Sequence, residues 1–64
     1  DIATALGTID RPVRFDREDG RIFDRNGMTV AEIRGWGRIS YMDHPEHRQN
    51  CVGELIAELI NNAK

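Results

Sequence analysis

Apolar and polar residues alternate with a period of two along much of the first half of the chain. Residues 13–17 read Val-Arg-Phe-Asp-Arg, the alternation of a half-buried β-strand, and residues 22–24 and 28–34 are further β-type runs. Turn residues separate the runs, with Gly20 after the first and Asn26-Gly27 after the second. The pattern predicts an antiparallel meander of three strands.

The last third of the chain changes to a helical period. Its apolar residues form one stripe along a predicted helix over residues 44–62: Val52, Leu55, Ile56, Leu59, Ile60 and Ala63. Asp43, followed by Pro45 and Glu46, is typical of a helix start with a capping box. Gly53 inside the stripe costs roughly 1 kcal/mol relative to alanine, which indicates a close approach by another part of the chain.

These elements predict one small α+β domain over residues 1–64, an antiparallel meander with one C-terminal α-helix packed on it. Residues 1–12 form an N-terminal arm or an edge strand, residues 13–41 the meander, and residues 44–62 the helix. Residues 38–41 add a short fourth strand or an extended link. A chain of 64 residues has a marginal core of its own, because it buries only about 60% of the surface that its unfolded form exposes. Small domains often gain the missing stability by oligomerisation, and we expect a homodimer.

The strand register depends on the lengths of the two turns. With two three-residue loops, Phe15 lies opposite Phe23, and Ile22, Met28 and Val30 point to the other side of the sheet. With a two-residue second loop, Phe23 joins Met28 and Val30 instead. A slip of one residue exchanges the two faces, so the pattern leaves both registers open.

Every register places apolar side chains on both faces of the sheet, whereas one helix covers one face. We therefore expect a protein partner on the uncovered face, either a second copy of this chain or another protein. The candidate contact residues are Ile22, Met28, Val30 and Trp36.

The charge balance disfavours a function built on phosphate contacts, since nine basic residues stand against eleven acidic ones. Only Lys64 among the basic residues is a lysine, and arginines beside an aromatic ring are able to hold a phosphate and stack on a base. A weak nucleic-acid-binding module is the alternative function, with candidate residues Arg14, Arg21, Arg25, Arg34, Trp36 and Arg38. The competing interpretation pairs the strand arginines with nearby carboxylates and places Trp36 in the core.

His44, His47 and Cys51 share one flank of the predicted helix, and their side chains are of the kinds that bind zinc. Metal sites normally recruit ligands from a second element, and the sequence holds no other His or Cys. We therefore expect a solvated flank with a half-buried cysteine and no metal or cofactor. We also expect no enzymatic activity, because a domain of this size has little room for a substrate pocket.

A single cysteine fits a reducing compartment, and no apolar run approaches the roughly 20 residues of a membrane span. Both features favour a cytoplasmic protein without a membrane partner. Because the sequence begins at Asp1 rather than methionine, we expect a processed or trimmed chain.

Residues 21–62 resemble many short phage and prophage proteins in their order of elements. The shared pattern is a strand, a D-x-x-G turn at residues 24–27, the strand Ile-Arg-Gly-Trp-Gly at 33–37, and a terminal helix with Leu-Ile-Ala at 55–57. The resemblance implies a bacterial cytoplasmic setting and a non-catalytic accessory role that acts on another macromolecule. A partner other than a second copy of this chain would then be a host or phage protein. The resemblance assigns no functional residue to this chain.

Overall fold

A computed structural model describes residues 1–34 and 37–64 of the chain. The elements follow one another as α1 (Ile2–Thr8), β1 (Arg14–Asp16), β2 (Arg21–Phe23), β3 (Thr29–Glu32), a 3₁₀ helix (Gly37–Tyr41) and α2 (Pro45–Asn62). The three strands form an antiparallel sheet in the order β1-β2-β3. The predicted α+β fold, a meander followed by a C-terminal helix, is confirmed.

The register of the first hairpin differs by one residue from the prediction. Phe15 lies opposite Ile22, rather than opposite Phe23. The cause is the turn, which spans residues 17–20 and is one residue longer than expected; Gly20 closes it with a left-handed φ of 65° and donates its N–H to the Asp16 carbonyl at 2.8 Å. Because directly opposed residues share a face, Phe15 and Ile22 point the same way.

The second hairpin contains a bulge on β3. Ile22 pairs with Ala31 but Phe23 pairs with Thr29, so Val30 is the additional residue. Phe15, Ile22 and Ala31 therefore lie on one face of the sheet. Arg14, Phe23 and the Arg21–Glu32 pair lie on the other.

The helix α2 packs against the Phe15 face. Gly53 of α2 is buried directly over the Phe15 ring, so the close approach that this glycine indicates in the sequence is confirmed. In the described part of the chain the buried apolar residues are Val13, Ile22 and Ala57, and of these Ile22 has no exposed surface. Half-buried side chains pack around them: Ile9, Phe15, Val30, Ile33, Ile56 and Ile60.

At two places the structure differs from the alternatives that the sequence left open. Within the predicted arm or edge strand, residues Ile2–Thr8 form a helix, with Asp1 as its N-cap accepting from the Thr4 N–H at 2.9 Å, so the edge strand is excluded. Gly37–Tyr41 forms a 3₁₀ helix instead of a fourth strand or an extended link. The apolar residues of these two segments are scattered without a clear period, so their pattern did not distinguish a helix from a strand.

The helix predicted over residues 44–62 is confirmed as Pro45–Asn62, but its capping box is wrong. His44 occupies the N-cap position in a left-handed conformation, with φ 51° and ψ 54°, and makes no side-chain cap hydrogen bond. The Asp43 carboxylate instead accepts from the Arg48 guanidinium, with Nη2 to Oδ1 at 2.6 Å. A charge-assisted pair competes with the neutral backbone cap for that carboxylate.

The C-terminal end of α2 is tied to the segment before β1. The Asn61 side chain accepts from the Val13 N–H at 2.7 Å and donates to the Val13 carbonyl at 2.8 Å. The Arg11 guanidinium donates to the carbonyls of Ile60 and Ala63. These bonds satisfy backbone groups at a buried position and at the end of α2, where the last carbonyls lack the regular N–H partner four residues on.

Candidate protein-interaction surface

The predicted apolar stripe of α2 is divided between the core and the surface. Ile56, Ala57 and Ile60 pack towards the sheet. The side chains of Val52, Leu55 and Leu59, here called the outer row, are 38%, 54% and 61% exposed. Among residues 1–34 and 37–64, the short strands of the sheet leave this edge of the stripe uncovered.

A cavity of about 430 Å³ opens beside the N-terminal end of the outer row. It lies between the 3₁₀ helix and α2. Its walls combine apolar side chains with a basic rim: Ile39, Met42, His44, His47, Arg48, Cys51 and Val52. Because Val52 belongs to both features, the cavity and the outer row form one continuous apolar surface.

Charges of opposite sign flank the two ends of the outer row. Arg48 lies one turn before Val52. Its guanidinium donates to the Asp43 carboxylate and, through Nε, to the Asp43 carbonyl at 2.7 Å. The hydrogen bond to the carboxylate and the charge of Arg48 lower the pKa of the Asp43 carboxyl below its usual 3.8. Glu58 lies beside Leu59 and has no ion pair within residues 1–34 and 37–64.

The three potential metal ligands do not converge. His47 Nε2 lies 3.6 Å from Cys51 Sγ, and His44 lines the same cavity. In the described part of the chain, no group of three or more His, Cys, Asp or Glu side chains is placed to hold a metal ion. Cys51 is exposed rather than half-buried.

The predicted contact residues of the sheet do not form one surface. Ile22 is completely buried, so its assignment to a contact surface is wrong. Met28, which is 68% exposed, and the half-buried Val30 line a groove of about 490 Å³ beside α1. Trp36 lies outside the described residues.

The sheet face opposite α2 presents charged side chains rather than an apolar surface. Arg14 covers the Phe23 ring, with its guanidinium carbon 4.9 Å from the ring centre, and contacts Asp16 at 3.7 Å. Arg21 pairs with Glu32 at 3.1 Å on the same face. The Arg14 side chain over Phe23 and the Arg21–Glu32 ion pair thus occupy the face on which a partner was expected.

Two further arginines of the nucleic-acid alternative also have acceptors inside the chain. Arg25 lies 4.0 Å from Asp10, and Arg34 donates to the Asp19 carbonyl at 2.6 Å. Arg38 is exposed on the 3₁₀ helix. Of the strand arginines, Arg14 and Arg21 pair with nearby carboxylates as the competing interpretation has it. Together these acceptors reduce the free positive charge that a phosphate would meet.

The sequence analysis named no contact residue on α2, because it placed the partner on the uncovered face of the sheet. The available signal was the position of the small residues Gly53 and Ala57. Small residues let a helix approach its neighbour closely, so they mark the face of α2 that meets the sheet. Val52, Leu55 and Leu59 lie to one side of that face.

Comparison with protein-family models, with curated proteins and with solved structures finds no match to this chain. The resemblance to short phage proteins therefore stays a prediction. Within residues 1–34 and 37–64, no helix combines the length and apolar character that crossing a bilayer requires.

Proposed function

We propose that this chain is a small, non-catalytic protein-interaction module that self-associates through the outer row of α2. The observation that carries the proposal is the exposure of Val52, Leu55 and Leu59 in adjacent turns of one rigid helix. Apolar side chains clustered in this way favour burial against a partner, whereas singly scattered ones do not. A helix face docking on an apolar groove is a recurring mode of protein recognition.

The small core supports self-association. Three apolar residues are buried in the described part of the chain, and only Ile22 of these is fully buried. Covering the outer row removes further apolar surface from water, at roughly 25 cal/mol per Å². The accessory role in a bacterial cytoplasm belongs to the same proposal and rests on the resemblance to phage proteins and on the single thiol.

Sedimentation velocity of the full chain over a micromolar concentration series tests the proposal. We expect the weight-average mass to rise above the 7.3 kDa of the monomer. The variant Leu55→Gln/Leu59→Gln is expected to stay monomeric with an unchanged circular dichroism spectrum, because both side chains already face solvent in the monomer. A monomeric wild type at every concentration would refute self-association.

Two matched controls locate the contact. Ile2→Gln removes a side chain that is 79% exposed but lies on α1, and Met28→Gln removes one that is 68% exposed beside α1. Both variants are expected to associate like the wild type. Loss of association in Met28→Gln, with retention in Leu55→Gln/Leu59→Gln, would move the interface to the hairpin and overturn the assignment to α2.

A further inference from the structure

We infer that the occupant of the outer row is the α2 helix of a second copy, in antiparallel orientation, with Leu59 of each copy entering the cavity of the other. This inference rests on the proposed function and specifies its partner. Three features of the described residues carry it: the spacing along α2, the distribution of charge, and the position of the cavity.

The spacing along α2 matches a coiled-coil seam. Arg48 extends the outer row by one turn, and the four positions 48, 52, 55 and 59 are separated by four, three and four residues, as in a heptad repeat. Antiparallel pairing about the midpoint of this row sets Val52 against Leu55 of the second copy. It also sets Arg48 against Leu59, so each apolar side chain meets another or the aliphatic stem of arginine.

The charges distinguish the two orientations. Parallel pairing would place Arg48 beside Arg48 and Glu58 beside Glu58 of the two copies, two repulsive contacts. Antiparallel pairing places the Arg48 end of each helix beside the Glu58 end of the other, twice by symmetry. Antiparallel helices also bring opposite ends of their macrodipoles together.

The cavity lies at the level that antiparallel pairing requires. Its lining includes Arg48 and Val52 from successive turns of α2, together with Ile39 and Met42. The second copy's Leu59 arrives at this level. Leu59, which is 61% exposed in the monomer, then fills an apolar hole of about 430 Å³ as a knob.

The test is a charge exchange measured by sedimentation over the same concentration series. Arg48→Glu and Glu58→Arg each create two repulsive contacts in an antiparallel dimer, and each is expected to weaken association about tenfold. The double variant Arg48→Glu/Glu58→Arg is expected to recover wild-type association. An equimolar mixture of the single variants is expected to recover it too, because every contact in the mixed dimer is attractive.

A control separates the interface from the internal pair of Arg48. Asp43→Asn removes the same ion pair within one chain and leaves Arg48 charged. It is expected to retain wild-type association. If Asp43→Asn weakens association as much as Arg48→Glu does, the effect comes from the helix start and the antiparallel inference is overturned.

Orientation is read independently from spin labels. In a Cys51→Ser background, Asn62→Cys places one label per chain near the exposed end of α2. Antiparallel pairing separates the two positions by about 25 Å along the helix axis, whereas parallel pairing holds them about 10 Å apart.

The outcomes distinguish this inference from the proposed function. A wild-type dimer whose single charge variants associate normally, or whose labels lie at the short distance, keeps the proposed function and overturns the antiparallel arrangement. Failure of the double variant to recover association overturns it as well. A wild type that stays monomeric overturns both.

Discussion

Replacing Gly53 by alanine is expected to destabilise the fold, although alanine is the better helix former. Gly53 is buried where α2 crosses the sheet, directly above the side chain of Phe15. A Cβ atom built on Gly53 would lie 2.5 Å from Cδ1 and from Cζ of that ring, and it would also overlap Cε1. Carbon atoms in contact prefer about 3.5–4.0 Å, so the ring or the helix has to move by about 1 Å or more.

Two opposing contributions set the change in the free energy of unfolding for Gly53→Ala. Removing a glycine from a helix interior gains about 1 kcal/mol. Forcing an additional methyl group into a packed position costs about 1–3 kcal/mol, and an overlap with three ring atoms belongs at the upper end. The expected net loss in the free energy of unfolding is therefore about 1–2 kcal/mol. For a domain of this size that corresponds to a fall in Tm of roughly 5–15 °C.

Thermal and urea unfolding followed by circular dichroism measure this loss. Gly7→Ala is the matched control, since a Cβ at Gly7 of α1 meets nothing within 4 Å. It is expected to be neutral or slightly stabilising. Phe15→Leu combined with Gly53→Ala is expected to lose less than the sum of the single changes, because the two overlapping groups are then separated. A Gly53→Ala protein as stable as the wild type, or more stable, would refute the packing argument.

Two further predictions concern the ends of α2. Asn61→Ala leaves the N–H and the carbonyl of the buried Val13 without their side-chain partner. It is expected to lower the free energy of unfolding in urea by about 2–3 kcal/mol. If this variant were as stable as the exposed control Asn62→Ala, the two hydrogen bonds would be contradicted. Because Arg48 lowers the pKa of Asp43, the stability from this pair is present above pH 3.8 and is lost as the pH falls through the lower folded-state pKa. NMR titration is expected to give an Asp43 midpoint below 3.8 that returns towards 3.8 in Arg48→Gln, and an unmoved midpoint would exclude Arg48 as the cause.

Local patterns predicted the type of most elements but not all of their details. The alternation of residues 13–17 and the turn glycines at 20 and 27 located the meander, since period and turn chemistry are properties of neighbouring residues. The helix start was predicted less well. Asp43 has the right residue type for a cap, but the distance to Arg48 decides which group its carboxylate binds.

The candidate site lay partly within reach of the sequence. The stripe of α2 and the glycine that marks its closest approach were both evident from spacing, and the packing on Phe15 confirms the glycine. The chosen contact residues were partly wrong, because one additional residue in the first turn places Ile22 opposite Phe15 and buries it.

The sequence by itself determined the order of the strands and the length of the C-terminal helix. Only the tertiary structure decided which apolar side chains remain at the surface. The physical reason is that a turn length shifts the register of a strand by a single residue and exchanges its faces. The width of the sheet then limits how much of the stripe on α2 it covers, which leaves Val52, Leu55 and Leu59 exposed.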